Sequence, residues 1–133
     1  FQLSNGMFEG DYLIIGNGIR LGERLTHLDS YKSEAFHNWF IHLMKGLGLR
    51  ESEVDYDARF GNSRVEMFYR LNTDKTILHA RKKVEFKKGD EILVAILYKF
   101  YEQELKKFCK MYFSEVELVK DEENEYALVI CRK

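Results

Sequence analysis

The amino-acid sequence predicts a mixed α/β fold, and three observations indicate this class. Asp11 leads into the wholly apolar run Tyr12–Ile15, which is typical of a strand covered on both faces, as in a parallel sheet. Apolar residues then recur at helical spacings of three and four between residues 36 and 47. From Val54 onwards the apolar period changes to two, which indicates β-strands.

Length and composition are those of one soluble globular domain covering residues 1–133. Hydrophobic residues make up 45% of the chain and charged residues 32%, and a chain of this size buries a core without disulfides or metals. The net charge of −1 excludes the strong cationic field of nonspecific nucleic-acid binders, although it leaves a local basic patch open. No stretch approaches the roughly 20 apolar residues that cross a bilayer. We therefore expect neither nucleic acid nor a membrane as partner.

Two further features concern the origin of the chain and its compartment. It begins at Phe1 rather than Met and contains no proline, so we expect a fragment-like piece of a longer protein with continuous helices and strands. Its two cysteines, Cys109 and Cys131, are far apart and form no Cys-x-x-Cys motif. This favours a reducing, cytoplasmic compartment over a disulfide framework or a zinc site.

The region around the first strand is predicted to be a loop, the strand and a glycine-rich turn. Residues 1–10 are polar and are expected to form the loop, and Gly16-Asn17-Gly18 is expected to end the strand. The dinucleotide-binding pattern G-x-G-x-x-G needs glycine at the position of Leu21, so a plain flexible turn is favoured over a cofactor loop.

The clearest predicted helix follows this turn. Asp29 or Ser30 can cap its first turn, and Gly46 and Gly48 can end it. Its predicted buried stripe consists of Phe36, Trp39, Phe40, Leu43, Met44 and Leu47.

Residues 63–100 are predicted to form an antiparallel three-stranded meander. Turn residues at 72–74 separate the first strand from a second, which lies within Leu78–Phe86. A turn at Gly89-Asp90 then leads into the third strand, Ile92–Tyr98, which is almost wholly apolar. The apolar face of the first strand consists of Val65, Met67, Tyr69 and Leu71.

Residues 101–133 are predicted to contain a helix and a closing hairpin. Glu115–Val119 and Tyr126–Cys131 are the strands of the hairpin, and the acidic stretch 121–124 is its turn. The helix is indicated by the spacing of Leu105, Phe108, Cys109 and Tyr112.

The residue types alone assemble no catalytic centre. No serine lies in a G-x-S-x-G motif, both cysteines are expected to be buried apolar residues, and the aromatic residues favour core packing over base stacking. Lys99 ends an apolar strand, where it either extends its amine to solvent or lies at the rim of a pocket. Metal-binding spacing is absent among His27, His37, His42 and His79.

Several short motifs follow one another in order between residues 10 and 132. They are Gly10–Ile15, Tyr31, Arg64-Val65-Glu66-Met67, Gly89–Ile92 and Lys99-Phe100. In this order and spacing the chain resembles the carboxyl-terminal part of the histidine-specific, S-adenosylmethionine-dependent methyltransferases of ergothioneine biosynthesis. The corresponding patterns of that family are P-G-D-x-L-L-x-G, Y-[ND]-D, R-[IV]-E-M and G-E-x-[IM]…K-[FY].

The resemblance implies the carboxyl-terminal portion of a class I methyltransferase-like sheet, with an antiparallel three-stranded insert, two main helices and a terminal β-hairpin. Residues 31–100 would be the substrate-recognition insert, and residues 101–133 the helix and closing hairpin. Such enzymes position an amine in line with the sulfonium methyl group and need no covalent nucleophile. The family's glycine-rich cofactor loop would precede this chain, so we expect S-adenosylmethionine in the parent protein and none bound by residues 1–133 alone.

The resemblance also implies candidate substrate-binding residues, namely Tyr31, Ala95, Leu97 and Lys99. The family's histidine-binding acid and serine form an E-x-S pattern just before K-[FY], and Ala95 and Leu97 stand at those positions. Two apolar side chains cannot hydrogen-bond an imidazole, so a more apolar substrate than histidine is expected.

Two functions remain open from the sequence. The chain is the substrate-recognition and sheet-completing part of a methyltransferase acting on a small amine or amino-acid-like molecule, or it is a non-catalytic module that binds a small molecule or a protein. In the first case its partner is an amino-terminal, cofactor-binding half. Without that half, the edge of Tyr12–Ile15 and the hairpin 115–132 are expected to pair with other copies in a homo-oligomer.

Overall fold

A computed structural model describes residues 2–22, 25, 27–79 and 81–133, and the backbone divides into two compact units. The first unit combines Phe1–Leu25 with Lys99–Lys133, and the second is the intervening segment Thr26–Tyr98. Helices and antiparallel strands are present in both units, which confirms the α/β class.

The elements are numbered in chain order. They are α1 (Gln2–Asn5), β1 (Tyr12–Gly18), α2 (Leu28–Tyr31), α3 (Glu34–Gly46), a 3₁₀ turn (Glu51–Glu53), β2 (Val54–Gly61), β3 (Arg64–Leu71), β4 (Lys75–His79), β5 (Lys82–Phe86), β6 (Glu91–Tyr98), α4 (Glu102–Cys109), β7 (Glu115–Lys120) and β8 (Tyr126–Arg132). The single turn of α1 lies where the sequence predicted a loop.

The sheet of the first unit has the order β1–β8–β7, with antiparallel pairing at both contacts. Its inner face carries Val129 and Cys131 of the central strand, both 0% exposed, and these pack in one core cluster with Leu105 and Cys109 of α4. The predicted helix and closing hairpin of residues 101–133 are thus confirmed.

The first strand differs from its prediction. A parallel strand covered on both faces was expected, but β1 runs antiparallel to β8 and its side chains alternate in exposure. Tyr12 and Ile14 are 63% and 62% exposed, whereas Leu13 and Ile15 pack against the core of the first unit. The period of two is hidden in the sequence because the outward residues are also apolar.

The second unit is built around β3, which lies between β2 and β6 in an antiparallel sheet. The predicted meander is wrong in its middle strand, because β3 pairs directly with β6 and residues 75–86 form a separate hairpin of β4 and β5. Arg81, with a left-handed φ of 66°, lies at the turn of that hairpin. The predicted apolar face of β3 is confirmed, since exposure is at most 1% for Val65, Met67, Tyr69 and Leu71.

The main helix of the second unit, α3, begins later than predicted and buries a narrower stripe. Ser33 occupies its N-cap position, and the expected caps Asp29 and Ser30 lie in the separate helix α2. Met44 is buried as predicted, together with Ile41. The exposed part of the predicted stripe consists of Trp39, Leu43 and Leu47.

A buried carboxylate ties the β4–β5 hairpin to the 3₁₀ turn. Glu53 is 5% exposed, and Lys75 Nζ lies 2.8 and 3.0 Å from its two oxygens. Arg50 donates to the same carboxylate from its backbone N and from Nη2, both at 2.8 Å. Hydrogen bonds from Arg50 and Lys75 lower the pKa of Glu53 to about 2.

We expect acid to destabilise the second unit through Glu53. Its pKa is depressed by folding from an ordinary value of 4.5, so its contribution is complete above that pH and is lost as the pH falls towards about 2. Urea denaturation across this range should show a flatter pH dependence for Glu53→Gln than for the wild type. Glu122→Gln, at an exposed loop position, is the control and should keep the wild-type slope; equal slopes for Glu53→Gln and the wild type would contradict this role.

Candidate functional site

The residues singled out from the sequence are distributed over both units. Tyr31, Ala95 and Leu97 lie in the second unit, and Lys99 is the residue at which the chain returns to the first. Lys99 is therefore held by a different set of contacts from Tyr31, Ala95 and Leu97.

Ala95 and Leu97 lie on the inner face of the second unit's sheet. Ala95 is opposite Met67 and Leu97 is opposite Val65, and opposed residues in an antiparallel sheet share a face. Met67 and Val65 are 0% exposed, whereas Leu97 is 39% exposed. With their partners on β2, these residues form two wholly apolar rows, Ala58–Met67–Ala95 and Phe60–Val65–Leu97, which we call the apolar floor.

A β-bulge determines which side chains β6 adds to the apolar floor. The register shifts between Met67 and Phe68, so that Ile92 is opposite Tyr69 and Ala95 is opposite Met67. Ile92 and Ala95 are three residues apart yet share a face, which strict alternation does not allow. Bulges commonly redirect side chains beside functional sites. Periodicity alone would have assigned Ala95 and Leu97 to the opposite face from Ile92.

Tyr31 lies at the end of α2 and is held by its backbone. Its carbonyl oxygen accepts a hydrogen bond from Tyr56 Oη at 2.7 Å. Its ring centroid lies 5.6 Å from that of Phe36, the first of a group of aromatic side chains on α3. The other members of that group are Trp39 and Phe40.

A cluster of polar side chains that was not predicted from the sequence joins α3 to the sheet of the second unit. Tyr69 Oη donates to the backbone oxygen of His37 at 3.0 Å and lies 3.2 Å from His37 Nδ1, and Nε2 of the same ring lies 3.3 Å from Glu51 Oε1. Burial raises the pKa of Tyr56 and Tyr69 to about 12, so both hydroxyls remain donors. His37 and Glu51 also line an open depression of about 440 Å³ beside Tyr56.

Lys99 is buried in the first unit and lies against β1. It is 9% exposed, so its amine does not extend freely to solvent. A Cβ atom placed on Gly18 would lie 2.5 Å from Lys99 Nζ, and one placed on Gly16 would lie 2.2 Å from Tyr126 Oη. The two glycines therefore make room for these side chains beside β1. The strand ends at Gly18 as predicted, but Gly16-Asn17-Gly18 pairs with β8 as part of the strand and does not form the expected turn.

Comparison with protein families assigns the chain. A family model described as histidine-specific methyltransferase, S-adenosylmethionine-dependent, matches residues 9–133. The chain belongs to this methyltransferase family. A search of the curated proteins finds no match. The resemblance carried by the sequence motifs is thus confirmed, and with it the dependence of the family on S-adenosylmethionine.

Other reactive groups in this methyltransferase-family chain are placed as structural residues. Cys109 and Cys131 are buried, and burial raises the pKa of both thiols, that of Cys131 to about 12. The expected burial of both cysteines is thus confirmed. Within the described ranges, no three histidine, cysteine or acidic side chains cluster as a metal site would require. The helices described here include none that is long and apolar enough to span a membrane.

We expect Gly18→Ala to displace the Lys99 amine. The added methyl group overlaps the end of a flexible side chain rather than backbone, so the loss of stability should lie near the low end of roughly 1–3 kcal/mol. Urea denaturation of Gly18→Ala, Lys99→Ala and the double variant would measure the coupling, and Lys99→Ala should remove most of the penalty. Gly22→Ala, where no atom lies within 4 Å, is the matched control. An equal penalty with and without Lys99 would show that the lysine is not the obstacle.

Proposed function

We propose that this chain is the substrate-recognition and sheet-completing part of an S-adenosylmethionine-dependent methyltransferase whose substrate is a small amine or amino-acid-like molecule with an apolar side chain. The observation that carries the proposal is the apolar floor. At the two positions where the family pattern has an acid and a serine, this chain presents Ala95 and Leu97 beside the fully buried Met67 and Val65.

The chemistry of the apolar floor favours an apolar substituent over an imidazole. Buried nitrogen atoms of an imidazole need hydrogen-bond partners, and leaving them unpaired costs about 1–3 kcal/mol for each group. An aliphatic or aromatic side chain in the same place gains about 25 cal/mol for each Å² removed from water. Both effects favour an apolar side chain over an imidazole.

The main task of this chain's residues in methyl transfer is to position the substrate. When bound, S-adenosylmethionine supplies a methyl group on a cationic sulfur. We propose that the apolar floor holds the substrate's side chain and that Tyr31 forms a wall beside it, so that the substrate amine is presented in a fixed direction.

The glycines of β1 do not fit a cofactor cradle. The space beside Gly16 is occupied by Tyr126 Oη and the space beside Gly18 by Lys99 Nζ, so side chains of this chain fill the places that a cofactor would need. We therefore propose that an amino-terminal half of the parent protein holds the cofactor.

The first unit's sheet has two edge strands, β7 and β1, and their composition favours the addition of a further strand at β1. The outer strand β7 carries Glu115, Glu117 and Lys120, and charges of this kind protect an edge from further pairing. β1 has no charged residue among its seven and, in the described part of the chain, pairs only with β8. A strand of the cofactor-binding half would complete the sheet at this edge and help cover Tyr12 and Ile14.

Substrate choice is tested in the parent protein that includes the cofactor-binding half. We expect kcat/KM for methyl transfer to leucine, methionine or phenylalanine to exceed that for histidine by about tenfold or more. Ala95→Glu with Leu97→Ser should raise kcat/KM for histidine by about tenfold. Leu93→Glu with Ile96→Ser, on the opposite face of the same strand, is the matched control and should leave the preference unchanged. Robust turnover of histidine by the wild type would overturn the proposal.

The chain by itself is expected to self-associate and to bind no cofactor. An uncharged edge and exposed apolar residues on β1 favour pairing with a second copy when the cofactor-binding half is absent. Light scattering coupled to size exclusion should give a mass above the 15.9 kDa monomer, and isothermal titration with S-adenosylmethionine should show no binding. A monomeric mass at tens of micromolar, or stoichiometric micromolar binding, would contradict the missing-half arrangement.

A further inference from the structure

The helix that carries Tyr31 depends on its neighbours for its position. α2 spans only the four residues Leu28–Tyr31, and an isolated helix of that length is not stable in water. All four residues keep part of their surface exposed, so burial does little to fix them. Contacts with neighbouring elements therefore help to hold this turn in place, and they include the ring contact of Tyr31 with Phe36 on α3 and polar contacts with the sheet.

Two such contacts come from adjacent residues of β2. Tyr56 Oη donates to the carbonyl oxygen of Tyr31 at 2.7 Å, and Asp57 Oδ1 lies 3.0 Å from Lys32 Nζ, just beyond the end of α2. The ion pair is 40% and 44% exposed, so water and salt weaken it. The Tyr56 hydroxyl is partly buried and remains protonated, because burial raises its pKa to about 12. The hydroxyl is therefore the stronger of the two contacts.

The ring of Tyr56 is itself held on two sides. Its centroid lies 5.2 Å from that of Tyr69, its cross-strand neighbour, and 5.8 Å from that of His37 on α3. The donor that reaches α2 thus projects from a packed group of three rings and has little freedom to follow a displaced helix.

We infer that Tyr56 is a positioning residue for substrate, which fixes α2 and through it the Tyr31 side chain, without contacting substrate itself. The inference rests on the proposed function, in which Tyr31 forms a wall of the substrate site. Removing the hydroxyl would leave the ring packing and the sheet intact while releasing α2.

The test uses Tyr56→Phe in the parent enzyme with its cofactor-binding half. The variant keeps the ring and loses the donor, so KM for the amine substrate should rise about three- to tenfold, the equivalent of one neutral hydrogen bond, with kcat little changed. Tyr69→Phe is the matched control, because it removes a similarly buried hydroxyl from the adjacent strand that is bonded to α3 instead of α2. The control should lose a similar amount of thermal stability and keep its KM.

Hydrogen exchange on the same variants separates positioning from a general loss of stability. Backbone amides of residues 28–32 should exchange faster in Tyr56→Phe and at the wild-type rate in Tyr69→Phe. An active wild type with unchanged KM in Tyr56→Phe, or equal effects of both variants on KM and exchange, would overturn the positioning role. A wild-type parent that transfers no methyl group to any amine would instead overturn the proposed function, and with it the role assigned to Tyr31.

Discussion

The elements of the second unit's sheet take their positions from β3, which is paired along both edges and is buried along the whole of its inner face. On its outer face, Phe68 is only 2% exposed, with the guanidinium groups of Arg59 and Arg70 at 4.6 and 5.4 Å from its ring centroid. Glu91 binds both arginines, at 2.6 and 2.8 Å, so the cations that cover the ring also link β2, β3 and β6. A strand fixed in this way sets the register of its neighbours and therefore the composition of the apolar floor.

Periodicity predicted the elements in which only one face is apolar. β3 and the α4–β7–β8 segment were found because buried and exposed residues alternate there in chemistry as well as in position. β1 was misjudged because Tyr12 and Ile14 are apolar on its exposed side, a pattern that a two-sided parallel strand shares. The β4–β5 turn was missed because Arg81 adopts positive φ without being glycine or asparagine, the residues that usually signal such a turn.

Only part of the candidate site could be predicted from the sequence. The family pattern identified Ala95 and Leu97 as candidate residues. It could not predict which face of the sheet they occupy, because that depends on a β-bulge for which the sequence contains no characteristic residue. The role inferred for Tyr56 left no trace in the sequence, because its partner is a backbone oxygen 25 residues away and any residue type could supply that atom. Side chains that act through backbone atoms are invisible to motif analysis for this reason.

The bulge in β6 has a consequence for how this protein can diversify. Ile92 and Val94 pack against the core cluster beneath α3, while Ala95 and Leu97, on the same face, belong to the apolar floor. A regular strand would have to omit one of these neighbours, because two successive residues cannot both point inward. The extra residue thus divides one short strand into a segment that packs in the core and a segment that belongs to the apolar floor. If the proposed substrate site is correct, substitutions in the second segment would alter ligand preference while the packing of α3 stays as it is, so that specificity and foldability could evolve separately within eight residues.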